Sequence, residues 1–387
     1  MGAAHRAALI MYRIVALTIL LHLAFAGSRV TLSLFALHLG ASTLTVGLLI
    51  SLLAALPLLC SVSWGRAIDR IGVRKPMLAG ACTVLAAALL ASAVPHLTTL
   101  FVVSVAIGSG FMVVHICVNQ MAGLLGAQHA RARNFSLLAL AFSTSGFLGP
   151  MLAGFAIDAF GHRVTFLLLG LSAGVAMVWL WLRPLPQPPA AARAPDGEPR
   201  RIADLLRIPA LRRAFIVSAV LSMAWDLFTF VTPIHGTRLG LSASAIGLIL
   251  GCFGGAIFLV RLVLPMVVHR LREWPLLIGA MVATGAGLAL FPLISSLPLL
   301  MLIAFLIGLA IGGTQPMIMS VLYNAAPEGR GGEVVGVRTF LLNLTQAGMP
   351  LLFGVAGTAL GMTPVFWVMA ALLFCASTGS LGQGRRR

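Results

Sequence analysis

The sequence predicts an all-α membrane protein whose twelve spans form two pseudo-symmetric six-helix bundles. Charged residues make up 9% of the chain, whereas a soluble globular domain carries about a quarter. Apolar runs of membrane-crossing length recur from end to end, and the second half repeats the first at a constant shift of 200 residues.

A hydrocarbon core about 30 Å thick needs about 20 apolar residues per helical crossing. In the first half, runs of that kind cover 12–38, 43–64, 76–94, 97–123, 135–157 and 164–182. The opening run is too long for a signal-peptide core and lacks a small-residue cleavage site, so it reads as a retained helix. In the second half the runs are 214–235, 242–268, 275–294, 297–323, 333–359 and 363–380. Residues 1–182 and 214–387 are therefore the expected bundles.

Residues 183–213 between them carry seven arginines and Pro184, Pro186, Pro188, Pro189, Pro195 and Pro199, a polar linker that a bilayer would reject. Two readings stand for its second part. From Arg200 to Arg213, Ile202, Leu205 and Leu206 lie opposite basic residues, as in an amphipathic helix on the inner leaflet. A disordered basic tether explains the same composition.

The net charge of +17 raises the question of nucleic acid, and the distribution of charge answers it. With the termini and alternate connections on one side, 22 of the 26 basic residues fall on that side. Arg163 and Arg238 fall on the other, and Arg29 and Arg261 lie within spans. Cytoplasmic connections are the ones enriched in Lys and Arg, which puts both termini in the cytoplasm and assigns the charge to topology, with no nucleic-acid partner. An Arg to Lys ratio of 25 to 1 fits a bacterial inner membrane.

Cys60, Cys82, Cys117, Cys252 and Cys375 are scattered singly through apolar spans, so neither disulfides nor a metal site is expected. No phosphate-binding loop, metal-ligand cluster or nucleophile triad occurs in a polar segment. The expectation is a non-enzymatic protein without cofactors, with a small-molecule substrate and protons as coupling ion, monomeric in the lipid bilayer and driven by a gradient.

The repeat is visible at helix ends and bends. Leu39-Gly40-x-Ser42 aligns with Leu239-Gly240-x-Ser242, Gly47-Leu48 with Gly247-Leu248, and Ile107-Gly108 with Ile307-Gly308. Pro150, Gly154, Gly161 and Phe166 align with Pro350, Gly354, Gly361 and Phe366. Two parallel repeats of this kind are a recurring transporter arrangement.

The densest charge cluster is Gly65, Arg66, Asp69, Arg70, Gly72, Arg74 and Lys75, between the second and third spans. Its pattern, Gly-x-x-x-Asp-Arg-x-Gly-x-Arg-Lys, closely resembles the signature loop of the major facilitator superfamily. That resemblance covers essentially the whole chain and implies alternating access around a midplane site. It also implies that the loop latches one conformation of the halves, with Asp69 as acceptor. The counterpart loop, Pro265 to Glu273, has His269 at the Asp position and lacks the second Gly, so latching is expected to be asymmetric.

The fifth span resembles the family's antiporter signature through Ser136, Ser145, Gly149, Pro150, Ala153 and Gly154. Close helix packing by small residues explains the same pattern. The fourth span departs from the family by lacking the Arg followed by Gln-Gly often seen in proton antiporters.

Ionisable groups within spans are costly, by about 2.5 to 3.5 kcal/mol on insertion scales. Asp226 follows Arg213 by roughly 20 Å of helix, and Arg29 follows Arg13 by roughly 24 Å, so both are expected at depth. The resemblance brings the first and seventh spans face to face, and an Arg29–Asp226 pair is expected. One reading makes it a proton switch, since withdrawing the arginine favours protonation of the carboxylate. The other makes it a static pair satisfying two buried charges.

His22 shares a face with Arg29, and His115 lies one turn from Asn119. Gln315 is the repeat counterpart of His115, and Asn343 and Gln346 share a face of the eleventh span. Together they outline a cavity, with Phe25, Trp225, Phe228 and Phe230 as apolar walls. Arg261 is expected to snorkel to the end of its helix. The resulting expectation is a proton-coupled exporter of small amphipathic compounds, resembling the drug and metabolite efflux branch. The alternative is an uptake carrier for an organic anion recognised by Arg29.

Overall fold

The computed structural model describes residues 3–125, 131–186, 202–267, 271–327 and 330–384. Residues 187–201 of the linker, His269 and Arg270 of the counterpart loop, and Arg385 to Arg387 lie outside the described residues.

In the first half the helices are α1 (Ala3–His38), α2 (Thr43–Ile71), α3 (Arg74–Ala93), α4 (Leu97–Leu124) and α5 (Arg131–Leu182). The short α6 (Ile202–Arg207) precedes α7 (Pro209–Arg238), α8 (Ala243–Val267), α9 (Glu273–Leu290), α10 (Leu297–Gly312), α11 (Thr314–Ala325), α12 (Gly331–Ala359) and α13 (Met362–Gly384). Among the described residues, 11 helices are long and apolar enough to cross a membrane. One of them holds both the fifth and sixth expected spans, because α5 runs through a break at Gly161, whose φ is +78°. The tenth expected span is divided into α10 and α11 around Gly313. Of the expected amphipathic helix in the linker, Ile202–Arg207 is helical, with Leu205 buried and Leu206 exposed.

The exterior is apolar, as a lipid-facing surface requires. Leu59, Trp181, Met266 and Leu360 are each more than two-thirds exposed, an arrangement that would precipitate a soluble protein. Inside, small residues let backbones approach. A Cβ on Gly80 would lie 2.6 Å from the Gly110 carbonyl, and one on Gly110 would lie 2.8 Å from the Gly80 carbonyl, which holds α3 against α4.

The repeat is built into the backbone. Gly40 and Gly240 have φ of +79° and +71°, and Gly161 and Gly361 have +78° and +83°. The Ser42 hydroxyl accepts the Thr45 N–H to cap α2, and the Ser242 hydroxyl accepts the Ala245 N–H to cap α8. A Cβ on Gly108 would strike the Leu53 carbonyl, and one on Gly308 would strike the Phe253 carbonyl. Gly72, with φ +80°, ends α2 and has Arg272 as its counterpart, so the signature loop is local to the first half.

The halves meet through α5 against α8, α12 against α2, and α1 against α7. These pairings interchange under the 200-residue shift, apart from α1–α7, which maps onto itself. The space they enclose is where the two repeats face each other.

Candidate functional site

Arg29 on α1 and Asp226 on α7 lie on the two helices that meet at the centre. Asp226 is 2% exposed and its Oδ2 has no hydrogen-bond partner. Each is a charged neighbour of the other. The ion pairs among the described residues are Arg207–Asp204 and Arg330–Glu333, so Arg29 and Asp226 approach without touching.

His22 and His115 lie in an aromatic wall belonging to the first half. Phe25 and Phe111 stack with ring centroids 4.3 Å apart. His22 lies 5.2 Å from Phe111 and 5.1 Å from Phe142, and His115 lies 5.2 Å from Phe142. His22 Nδ1 is 2.7 Å from Ser145 Oγ, which itself donates to the Ala141 carbonyl. Asn119 Nδ2 donates to the His115 carbonyl at 2.8 Å and lies 3.3 Å from His115 Nε2. His115 is exposed although it sits deep in α4, and Gln315, its counterpart in α11, is exposed as well. Gln315 is linked to the first half through Arg261.

Arg261 departs from the expectation that it snorkels to the end of α8. Its Nη1 donates to Ser143 Oγ at 2.7 Å and to the Ala139 carbonyl at 3.3 Å, both on α5. Its Nη2 donates to Gln315 Oε1 at 3.2 Å. A single guanidinium thus joins the two halves beside the aromatic wall, and its charge reaches His22. Position alone could not reveal this, because the reach of an arginine leaves its target open.

Of the other expected wall residues, Trp225 is half-buried and packs edge-on against Phe253 at 5.1 Å. Phe228 and Phe230 are fully buried, Phe228 against Phe253 and Phe291 at 4.7 and 5.2 Å, so they belong to the core of the second half. Asn343 is half-buried and Gln346 exposed on α12.

The signature loop is engaged within its own half. Gln120 Nε2 on α4 donates to Asp69 Oδ1 at 2.6 Å. Arg66, Arg70, Arg74 and Lys75 are exposed, and Gly65 has open space around it. Gln120 was not anticipated, and only its location on the fourth span adjacent to the loop hints at the contact.

The fifth-span glycines pack in two directions. A Cβ on Gly149 would lie 3.0 Å from Ala26 Cβ and from the Gly27 nitrogen on α1. One on Gly154 would strike the Ala243 carbonyl, and one on Gly247 would lie 2.7 Å from the Pro150 carbonyl. The mirrored contact holds too, with a Cβ on Gly47 lying 2.5 Å from the Pro350 carbonyl. Backbone contact between the halves is therefore tight at the end of the bundle that carries the 38–43 and 238–243 turns.

Comparison with known proteins agrees with this architecture. The family model described as Major Facilitator Superfamily matches residues 14–350. A relative from Bacillus subtilis (strain 168), named an uncharacterized MFS-type transporter YuxJ, is 24% identical over 331 residues, 82% of each chain. The solved structure of a peptide transporter POT in complex with sulfate superposes with a TM-score of 0.81 at 13% identity, covering 100% of this chain and 98% of that one. The human organic anion transporter MFSD10 superposes with a TM-score of 0.68 at 19% identity, covering 96% and 99%. At those identities the likeness of the solved structures is one of fold.

Proposed function

The chain belongs to the Major Facilitator Superfamily and is a multi-pass membrane transporter of small molecules, and from that premise we propose that it is a proton-coupled exporter of small amphipathic organic compounds. The carrying observation is Asp226, a carboxylate buried at mid-span with an unpartnered oxygen, facing the charge of Arg29 without contact. A carboxylate so placed exchanges a proton when the arginine approaches or withdraws. Loading from one side and release on the other would then follow the rocking of the halves about the space between them.

Direction rests on the small-residue pattern of α5, and the distribution of basic residues supports cytoplasmic termini in a bacterial inner membrane. In proteoliposomes carrying a pH gradient, substrate counterflow is expected in the wild type and its pH dependence is expected to vanish in Asp226→Asn. Counterflow that stays fully pH-driven in that variant overturns the coupling role.

A second reading is uptake of an organic anion by Arg29, favoured by the lack of a direct carboxylate partner for that side chain. Overexpression separates the two, since export confers resistance to the compound and uptake confers growth on it.

A further inference from the structure

Arg261 is a cation at the meeting of the halves, and all its hydrogen bonds go to neutral oxygens: the Ala139 carbonyl, Ser143 Oγ and Gln315 Oε1. No described carboxylate forms an ion pair with Arg261. Asp69 takes Gln120, Asp158 takes the Ala243 and Ser244 N–H groups, and Glu273 takes Ser320. Asp204 and Glu333 pair with Arg207 and Arg330, and Asp226 has Arg29 as its charged neighbour. A half-buried guanidinium that lies within a span and has no anion is costly. Its planar fork matches a carboxylate, which it can grip through two parallel hydrogen bonds.

The surroundings specify the rest of the ligand. Arg261 is bonded to Ala139 and Ser143 on α5, the helix that supplies Phe142, and its charge acts on His22, which places the guanidinium near the wall formed by His22, Phe25, Phe111, His115 and Phe142. These rings present flat faces and edges, which favour a flat apolar body in stacked or edge-on contact. His115 in the first half and Gln315 in the second, the latter bonded to Arg261, are both exposed and so accessible to a ligand.

We propose that the protein binds a small organic anion with a flat apolar body between its halves, its carboxylate seated on Arg261 and its body against the first-half aromatic wall. The proposal rests on reading the space between the halves as the transport site and assigns it a substrate class. Because Arg261 bonds to α5 and α11, a carboxylate there competes with contacts between the halves, and substrate occupancy is felt directly by the interface that must rearrange.

The purified full chain in detergent tests this near neutral pH by thermal shift and calorimetric titration with benzoate, 2-naphthoate and the corresponding neutral amides and aminomethyl compounds. The carboxylates are expected to stabilise the wild type, 2-naphthoate more than benzoate, and the amides and amines are expected to bind at least about tenfold more weakly. Arg261→Gln is expected to lose that preference, while Arg261→Lys, which keeps the charge without the fork, retains part of it. Carboxylates that bind no better than their amides to the wild type overturn the proposal even when Arg261→Gln fails to fold. So does undiminished 2-naphthoate binding by a folded Arg261→Gln. Flux of a bound carboxylate in vesicles is the separate arm: binding through Arg261 without flux supports the anion site and overturns the transport reading instead.

Discussion

Asp158 and Thr358 are counterparts under the 200-residue shift, and each caps a helix of the opposite half. The Asp158 carboxylate accepts the Ala243 and Ser244 N–H groups at 3.1 and 2.8 Å at the start of α8. Thr358 Oγ1 accepts the Leu44 N–H at 3.1 Å at the start of α2. A carboxylate at a helix N-terminus satisfies orphan donors and meets the positive end of the helix dipole, whereas a hydroxyl does only the first. The closure at this end of the bundle is therefore symmetric in geometry and asymmetric in charge.

Asp158→Ala is expected to weaken this closure by about 1 kcal/mol, the usual scale for loss of an N-cap, and Thr358→Val by less. Spin labels at Leu39 and Leu239, in a background lacking the native cysteines, read the separation of the halves at this end. A broader distance distribution in Asp158→Ala than in Thr358→Val is the expected result, and the reverse order contradicts it.

The same closure is expected to depend on pH. Asp158 lies in the turn between the fifth and sixth expected spans. Partial burial acts to raise its pKa, but hydrogen bonds from Ser244, Ala243 and Ser242 outweigh that and hold it below its ordinary value. When the halves part, the bonds are lost and the carboxyl returns toward about 4. Its contribution to closure is thus complete above the ordinary value and lost as pH falls through the depressed one. The label distances of the wild type are expected to broaden on acidification, and those of Asp158→Asn to stay flat.

Gly154→Ala is expected to force the halves apart, because the new methyl would strike the Ala243 carbonyl. Overpacking of this kind costs about 1 to 3 kcal/mol. Gly279→Ala, where open space surrounds the position, is the matched control and is expected to transport normally. A normal transport rate in Gly154→Ala would show that the contact yields more easily than its geometry suggests.

Asp69→Asn is expected to disturb the conformational balance more than any substitution at His269. In the first variant the bond from Gln120 loses its charged acceptor. Transport rates and label distances compared for Asp69→Asn, Gln120→Ala and His269→Ala check this, and equal effects at 69 and 269 count against asymmetric latching.

Much of the fold was legible in the chain. Hydropathy located the helices, and glycines at 40, 161, 240 and 361 marked positions where the backbone takes positive φ. The fifth and sixth spans ran together because the polar junction from Asp158 to Arg163 stays helical apart from Gly161, the single residue at which the path bends. The candidate site was legible in part. Helical spacing anticipated the contact between His115 and Asn119, but Phe228 and Phe230 turned into the core of the second half. A periodic apolar helix has no single polar face to orient it, so its rotation is decided by packing against its neighbours.

By itself the sequence determined that this protein crosses the membrane many times, that its halves are repeats, and that a few charges are held in the apolar interior. Those properties follow from composition and spacing along one dimension, where the cost of placing charge in hydrocarbon leaves little freedom. The tertiary structure decided which polar groups meet. It kept Asp226 short of Arg29, carried Arg261 across to Ser143 and Gln315, and set Asp158 against the first turn of α8. Such pairings depend on how two bundles sit against each other and on the reach of long side chains, and spacing along the chain constrains neither.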